Sequence, residues 1–222
     1  MSKEDLEILY EDNHVIVVYK PSNILSQADN TNDKDMLTLI KEYLKEKYNK
    51  PGNVYLGLVH RLDRPVQGVM VFAKTSKAAS RLTKQVQNHE FQKQYLAIIN
   101  GVLDEKKGEF CDYLQKLDNG NTIVTDREHG KESLLKYEVM KEINGLSLVK
   151  IQLITGRHHQ IRVQFASRGY PLVGDQRYGK QDKKQICLCS YYLSFVHPIT
   201  KERLIFERLP EKNDYWNLFL QK

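Results

Sequence analysis

A single carboxylate between two arginines is the feature of this sequence best suited to chemistry. Residues 60–68 (HRLDRPVQG) place Asp63 between Arg61 and Arg64, and the apolar run 69–73 follows. The proline and the glycine of this segment favour a loop at the edge of a sheet. Nearby arginines keep a carboxylate ionised, which is the state that a nucleophile needs. Most acidic loop residues only accept hydrogen bonds from backbone amides, so this segment alone leaves Asp63 either structural or catalytic.

A second polar cluster, residues 155–162 (TGRHHQIR), joins the end of a predicted strand to the start of a predicted helix. Its glycine allows close approach of the backbone, and amides at a helix N-terminus favour phosphate. Arg157 and Arg162 add positive charge. His158 and His159 are adjacent, so they point apart, and no third ligand lies at metal spacing. We therefore interpret the histidines as structural or nucleic-acid-contacting residues and predict no metal site.

The bulk composition fits a soluble protein with a polyanionic partner. The 222 residues include 34 Lys+Arg against 28 Asp+Glu, which leaves a formal net charge of +6. Three cysteines are too few for a disulfide framework, and we interpret them as reduced thiols. No signal peptide and no apolar stretch long enough for a membrane span are visible. These features predict a cytoplasmic protein without membrane attachment, and they exclude a disulfide-rich secreted module.

Hydrophobic periodicity predicts more strands than helices. Asp35 and Ser76 are expected to cap two helices, the second of which ends near residue 88. A third helix is predicted over residues 158–167, and a short one over residues 215–220. Strands are predicted at residues 6–10, 14–19, 69–73, 94–99, 109–114, 122–125, 133–139, 146–153, 186–195 and 203–207. Because strands often follow one another directly, the pattern favours an α+β fold with a mixed or mainly antiparallel sheet, formed by one domain over residues 1–222.

Five ordered stretches resemble segments of the RluA-type pseudouridine synthases, and the resemblance as a whole extends from about residue 6 to residue 209. The loop around Asp63 is similar to the H-R-L-D-x-x-T-S-G segment of that family. The other stretches are similar to the family's K-P-x-G, K-x-Y-x-A-x-x-x-G, T-G-R-x-H-Q-I-R and L-x-F-x-H-P segments, in residues 19–22, 91–101, 155–179 and 190–198. Five motifs in the family's order are hard to obtain by chance.

The resemblance implies the pseudouridine synthase fold, with a large central sheet, flanking helices and a central active-site cleft. It also implies an isomerase that converts specific uridines of structured RNA, ribosomal or transfer, to pseudouridine. That chemistry needs no cofactor, because the uracil detaches, rotates and rejoins the sugar through C5 within a closed pocket. The family's additional N-terminal RNA-binding domain has no room in this sequence, and we expect a monomer.

The family's residue roles carry over to matching positions. Asp63 corresponds to the catalytic aspartate, and Tyr95 to the tyrosine that stacks on the target base. Arg162 corresponds to the arginine that pairs with the catalytic carboxylate, and Arg61 to the arginine that pushes into the RNA stem. Flipping a base costs a few kcal/mol, and stacking on an aromatic ring returns about 1–3 kcal/mol. The remaining expected substrate-binding residues are Arg157, His60 and Arg64.

Several neighbours of the motifs depart from the family pattern. Val66 and Gln67 stand where Thr-Ser is usual, Gln164 replaces a frequent histidine, and Asn23 stands where glycine often follows Lys-Pro-Ser. These changes leave open a protein that keeps the fold for RNA binding or RNA folding assistance with little catalysis. A hydrolase that uses Asp63 as nucleophile is a third reading, but metal ligands and oxyanion donors are missing from the pattern. The intact Asp63 favours the active isomerase.

Overall fold

The computed structural model describes residues 2–31, 33–181 and 184–220. The chain divides into two compact units. The first comprises Met1–Phe91 and Ser190–Leu209, and the second comprises Gln92–Cys189 and Pro210–Lys222. Each unit is described by itself.

The described residues form four α-helices and eleven strands. The helices are α1 (Met36–Lys47), α2 (Ser76–Gln87), α3 (Gln160–Ala166) and α4 (Asp214–Leu220). The strands are β1 (Glu7–Glu11), β2 (Val15–Lys20), β3 (Gly57–Leu58), β4 (Gln67–Ala73), β5 (Gln92–Asn100), β6 (Lys107–Lys116), β7 (Thr122–Thr125), β8 (Lys131–Ile143), β9 (Leu146–Leu153), β10 (Leu188–Val196) and β11 (Arg203–Glu207). A 3₁₀ turn at Lys3–Asp5 precedes β1.

The sheet of the first unit has the order β1-β2-β4-β10, with β3 paired to β4 and β11 paired to β10. Every residue of β2 and β4 is buried. Strands covered on both faces need near-continuous apolar sequence, and the runs VIVV and VMVFA supply it. The core around these strands comprises Val15, Val17, Val69, Val71, Ala73, Ala78, Leu82, Phe91, Leu193 and Phe195.

The two helices of the first unit begin at capping side chains. The Asp35 carboxylate accepts the Thr38 amide at 3.0 Å, so the predicted cap of α1 is confirmed. The predicted cap of α2 is wrong by one residue: Ser76 is the first helical residue, and Thr75 accepts the Ala78 amide at 3.2 Å. Thr75 has extended backbone angles, as a capping residue requires, and its hydroxyl satisfies one of the free amides of the first turn.

The sheet of the second unit has the order β5-β9-β8-β6-β7, and every pair of neighbours is antiparallel. The turn between β8 and β9 consists of Asn144 and Gly145, which both have positive φ angles (52° and 74°). A two-residue hairpin needs that conformation, and Asn-Gly adopts it at low cost. α3 packs against β6 and β7 of this sheet.

The start of α3 differs from its prediction. The helix was expected from residue 158, but it begins at Gln160 because His159 adopts a left-handed conformation with φ 52°. Helix α4 begins one residue before its predicted start, at Asp214. Trp216 in α4 is buried, with 1% of its surface exposed.

The predicted α+β class with mainly antiparallel pairing is confirmed in both units. All ten strands predicted from residues 6–207 are present. Three match their predicted bounds (β7, β9 and β11), β1 and β2 are shifted by one residue, and β10 starts two residues later and ends one residue later than expected. The other four, β4, β5, β6 and β8, extend beyond their predicted ends by one to four residues. None of the described helices combines the length and the apolar character needed to cross a bilayer.

Candidate active site

The Asp63 loop lies between β3 and β4 and is held by hydrogen bonds on both sides of the carboxylate. On one side, the Ser26 hydroxyl donates to the Leu62 carbonyl at 2.7 Å and accepts the Leu62 amide at 3.1 Å. On the other side, the Arg64 carbonyl accepts from the Lys20 ammonium at 3.0 Å. The Val66 amide closes the turn by donating to the Asp63 carbonyl at 3.0 Å. The half-buried carboxylate therefore sits on a backbone whose neighbours are fixed.

Lys20 is a fully buried cation at the end of β2. Its ammonium donates to the carbonyls of Pro21 (3.0 Å), Ile24 (2.7 Å) and Arg64, so three acceptors match its three protons. Burial lowers the pKa of Lys20 to about 7; attraction to the Asp63 carboxylate opposes this change, and repulsion from Arg64 adds to it. Lys20 thus links its own turn to the Asp63 loop and places positive charge near Asp63.

The other polar residues of this loop differ in exposure. The His60 ring is half-buried, and its Nε2 atom accepts the Val71 amide at 3.2 Å. That bond ties the loop to β4 and leaves the other ring nitrogen, Nδ1, to carry the proton in a neutral ring. Arg61 is exposed. Arg64 is also exposed and pairs with Asp33, with 2.8 Å between Nη2 and Oδ2. The expected contacts of these three residues with substrate stay predictions.

Gly68 lies in β4 rather than in the loop where the sequence placed it. Its φ angle is +141°, and a Cβ atom there would approach the Ser190 carbonyl oxygen to 2.4 Å, so only glycine fits. The preceding residue, Gln67, is 1% exposed, and its Oε1 atom accepts the Tyr19 hydroxyl at 2.6 Å. The Arg208 guanidinium lies 4.6 Å from the centre of the Tyr19 ring. Gln67, which replaces the family's usual serine, therefore has the buried Tyr19 as its hydrogen-bond partner.

Tyr95 lies in the middle of β5 in the second unit and is 6% exposed. Its Cα partner across the sheet is Ile151 of β9. A tyrosine within a hydrogen-bonded strand has a fixed backbone and few rotamers, which suits a rigid stacking platform. Its contact with a base stays a prediction.

Arg162 of α3 forms a buried bidentate ion pair with Asp175. Its Nε donates to Oδ2 and its Nη2 donates to Oδ1, both at 2.8 Å. Asp175 also accepts the amides of Arg177 (3.0 Å) and Tyr178 (3.1 Å). Burial alone raises the pKa of Asp175, but the Arg162 guanidinium and the two amides outweigh burial and lower it overall. The pairing of Arg162 with the Asp63 carboxylate, expected from the resemblance, stays a prediction.

The segment that precedes α3 is cross-linked by polar side chains. The Gln160 amide oxygen accepts the Thr155 hydroxyl at 2.9 Å and the Arg157 amide at 3.0 Å. Thr155 in turn accepts the Leu134 amide at 2.8 Å. The exposed Arg157 side chain donates from Nε to the Glu132 carbonyl at 3.0 Å. These bonds fix the conformation of the turn, which exposes the Arg157 side chain to solvent.

Both histidines of this segment bond to neighbouring loops. The His158 Nδ1 atom lies 2.8 Å from the Thr122 hydroxyl, and the His159 Nδ1 atom lies 2.7 Å from the Tyr178 hydroxyl. The two imidazole rings stack with 3.7 Å between centroids, so the expectation that these adjacent side chains point apart is wrong. Tyr178 also accepts the Thr122 amide at 2.9 Å. This network favours a structural role for the histidines over contact with nucleic acid. Nowhere in residues 2–31, 33–181 and 184–220 do three or more His, Cys, Asp or Glu side chains form a metal-binding group.

Gln164, the departure within α3, is completely buried. Its Nε2 atom donates to the Asp112 carboxylate at 2.7 Å, to the Ser133 carbonyl at 3.0 Å and to the Phe110 carbonyl at 3.3 Å. The acceptors lie on β6 and β8, so the side chain fixes the rotation of α3 against the sheet. Because Arg162 lies on the same short helix, Gln164 helps to set its position.

Three residues that support the site were missed by sequence reasoning: Ser26, Lys20 and Asp175. Lys20 and Asp175 stood within the motifs but received no role. A buried arginine requires a buried acceptor. The sequence offered a candidate, because Asp175 follows Arg162 by 13 residues within the same matched stretch. No local pattern identifies Ser26, because its bonds to Leu62 span 36 residues.

The fixed loop gives Asp63 the features of a nucleophile or a general base: a half-buried carboxylate, a nearby ammonium and flanking arginines. The second unit offers a buried tyrosine and a guanidinium locked in one orientation. Such groups suit the binding of an anionic, aromatic substrate.

Comparison with known proteins identifies similar sequences. A family model described as RNA pseudouridylate synthase matches residues 14–167. The dual-specificity RNA pseudouridine synthase RluA of Pasteurella multocida is 34% identical over 215 residues, which cover 92% of this chain and 93% of that protein. The protein of the same name from Haemophilus influenzae is 33% identical over 211 residues, covering 90% and 91%.

A solved structure is similar in fold. The human RNA Pseudouridylate Synthase Domain Containing 4 aligns with a TM-score of 0.78 and 21% sequence identity, covering 93% of this chain and 89% of that one. At that identity, the similarity supports the fold.

Proposed function

The chain belongs to the RluA-type family of RNA pseudouridine synthases and is an isomerase that converts uridine to pseudouridine in RNA; from that premise we propose that Asp63 is its catalytic carboxylate and that its substrates are structured ribosomal or transfer RNAs. The proposal for Asp63 rests on one observation above all. The residues before and after it are pinned by side chains from another segment, Ser26 and Lys20.

This double anchoring supports catalysis by a positioning argument. A carboxylate that attacks a nucleoside must be held in one place, since misplacement by about 1 Å can cost on the order of 100-fold in rate. The interior hydrogen bonds leave the Asp63 backbone little freedom, while the carboxylate itself remains half-buried rather than sealed. A loop acid with only a structural role would not need a buried cation beside it. The Lys20 ammonium and the Asp63 carboxylate attract each other.

The remaining site residues are assigned to substrate binding. We propose that Tyr95 stacks on the target base, that Arg61 enters the RNA stem and that Arg162 pairs with the catalytic carboxylate. Arg61 is exposed and thus available to RNA. Arg157, His60 and Arg64 complete the proposed set. Single-domain organisation over residues 1–222, a monomeric state and a cytoplasmic location belong to the same proposal; light scattering of the purified protein tests the monomer.

The decisive experiment maps pseudouridine by carbodiimide labelling and reverse transcription on total RNA from cells with and without the gene. We expect marks that vanish on deletion and return with the parent gene but not with Asp63→Asn. The variant keeps the size of the side chain while removing its charge, so RNA binding should persist. Asp118→Asn, an exposed acid in the turn between β6 and β7, is the matched control and should restore the marks.

The outcomes separate the alternatives. Return of the marks with Asp63→Asn would remove Asp63 from the chemistry. Marks that are unchanged by deletion, together with no product from purified parent on unmodified transcripts, would favour an RNA-binding or folding-assistance protein with the same fold. The positions of the marks identify the substrate RNA and decide between ribosomal and transfer RNA.

A further inference from the structure

Lys93 is a partly buried cation of β5. A Cβ atom built on Gly156 would lie 3.3 Å from the Lys93 Nζ atom, so the ammonium sits against the turn that precedes α3. Among the described residues, none accepts a hydrogen bond from this ammonium or forms an ion pair with it. By contrast, the buried cation Lys20 donates to three carbonyls, and Arg162 forms a bidentate pair with Asp175.

The surroundings of Lys93 make this arrangement costly. Burial lowers the pKa of Lys93, and no neighbouring charge compensates. Its Cα partner across the sheet is Leu153, which pairs in turn with Leu135 of β8. This row of the sheet therefore offers no carboxylate. A desolvated ammonium without an acceptor is unfavourable unless an anion from outside completes the site.

The neighbouring residues indicate what kind of anion fits. Side chains two residues apart in a strand point to the same face, so Lys93 and Tyr95 share one face of β5. The adjacent turn holds the exposed Arg157, whose Nε is anchored to the Glu132 carbonyl, so its terminal nitrogens keep a fixed direction. An ammonium and an oriented guanidinium on either side of a glycine suit a phosphodiester oxygen.

We propose that Lys93 binds a backbone phosphate of the RNA next to the nucleotide that Tyr95 contacts, with Gly156 giving room for the close approach. The proposal deepens the proposed function and rests on it, because Tyr95 is taken as the base platform. Nearness of Lys93 to Tyr95 along one strand couples the position of the phosphate to that of the base. A phosphate would also favour the charged ammonium and so remove the penalty of its burial.

The test compares Lys93→Met with Lys136→Met in binding to unmodified transfer-RNA and ribosomal-RNA-fragment transcripts. Lys136 is an exposed lysine of β8 in the same sheet. It pairs with Gln152, which pairs with Gln94, so Lys136 lies on the opposite face from Lys93. Both variants lose one charge, and only the first loses the proposed contact.

We expect Lys93→Met to weaken binding about tenfold at low salt. The slope of log affinity against log salt should become shallower by about 0.7–0.9, the contribution of one phosphate contact. Consequently, the ratio of the parent's RNA affinity to the variant's should fall by about threefold between roughly 50 and 200 mM salt. Lys136→Met should keep the parental slope, and Lys93→Arg should keep most of the affinity.

A Lys93→Met slope equal to that of the parent would overturn the proposal, even if the variant were less stable, because a purely structural lysine does not change counterion release. Thermal unfolding of each variant shows that the folded protein is being compared. Product formation by the parent in the same samples separates the two hypotheses. If the parent is active and the salt slopes are unchanged, only the proposed phosphate contact is refuted. If the parent is inactive on every transcript, the proposed function is refuted.

Discussion

The guanidinium of Arg162 and the carboxylate of Asp175 meet side-on, with two parallel hydrogen bonds of 2.8 Å and both side chains almost completely removed from solvent. The Arg162 guanidinium also lies 5.2 Å from the centre of the Tyr178 ring. This contact fixes the plane of the guanidinium, so any further partner of Arg162 must approach from a defined direction.

Removing one partner of this ion pair should destabilise the protein strongly. Asp175→Asn leaves the Arg162 charge buried without its carboxylate, and we expect a loss of about 3–5 kcal/mol in the free energy of unfolding. Urea denaturation measures the change. Glu7→Gln is the control, because the Glu7–Arg208 pair is about one third to two fifths exposed and should contribute less than about 1 kcal/mol. Equal losses in the two variants would contradict the buried-pair argument.

The same pair predicts the pH dependence of stability. The pKa of Asp175 is lowered in the folded protein, so its stabilising contribution is complete above the ordinary value of 3.8 and is lost as pH falls through the folded value. The stability difference between parent and Asp175→Asn should therefore shrink below about pH 4. Urea unfolding at several acidic pH values checks this window. A constant difference throughout the acid range would show that Asp175 is not ionised in the folded state.

Lys20 predicts a second rise of stability with pH, at neutral to alkaline pH. Its pKa falls from 10.5 to about 7 on folding, so between these values the unfolded chain binds more protons than the folded one. Stability should therefore rise with pH through this window in the parent relative to Lys20→Met, by on the order of a few kcal/mol. Lys50→Met, a change at an exposed lysine, is the control. Parallel stability–pH curves for the parent and Lys20→Met would contradict the lowered pKa.

The Tyr19–Gln67 hydrogen bond predicts energetic coupling at the departure from the family pattern. Both residues are about 1% exposed, and loss of either partner leaves a buried polar atom of the other without this bond. We expect Tyr19→Phe and Gln67→Met to be non-additive by about 1–2 kcal/mol in a double-mutant cycle. Chemical denaturation of the four proteins gives the coupling energy. Additive effects would mean that the 2.6 Å contact contributes nothing to stability.

Tyr95 should matter more for turnover than for RNA affinity. Tyr95→Ala removes the proposed base platform, worth about 1–3 kcal/mol, whereas most RNA affinity comes from phosphates. We expect single-turnover rates to fall about tenfold or more, with affinity changed only severalfold. Tyr95→Phe retains the ring and should keep most of the rate. Equal single-turnover rates for parent and Tyr95→Ala would remove Tyr95 from the site.

The sequence alone determined the family, the α+β class and most element positions. Alternating and continuous apolar runs are local signals, and β2 and β4 followed them closely. The motif around Asp63 could also be recognised from the sequence, because its proline and its charged residues are contiguous. Boundaries that depend on one backbone angle could not be predicted from the sequence. The left-handed conformation of His159 moves the start of α3 to Gln160, and Gly68, with its φ angle of +141°, lies in a strand rather than in the loop.

What only the tertiary structure decided is which side chains satisfy which buried groups. Ser26 reaches Leu62 across 36 residues, Lys20 reaches Arg64 across 44, and Gln164 reaches Phe110 across 54. No periodicity encodes such pairs, because each depends on how strands and loops distant in sequence meet. Burial then sets the energetics: it makes an enclosed charge without an acceptor unfavourable, and it lowers the pKa of Lys20 and of Lys93 in the folded chain alone.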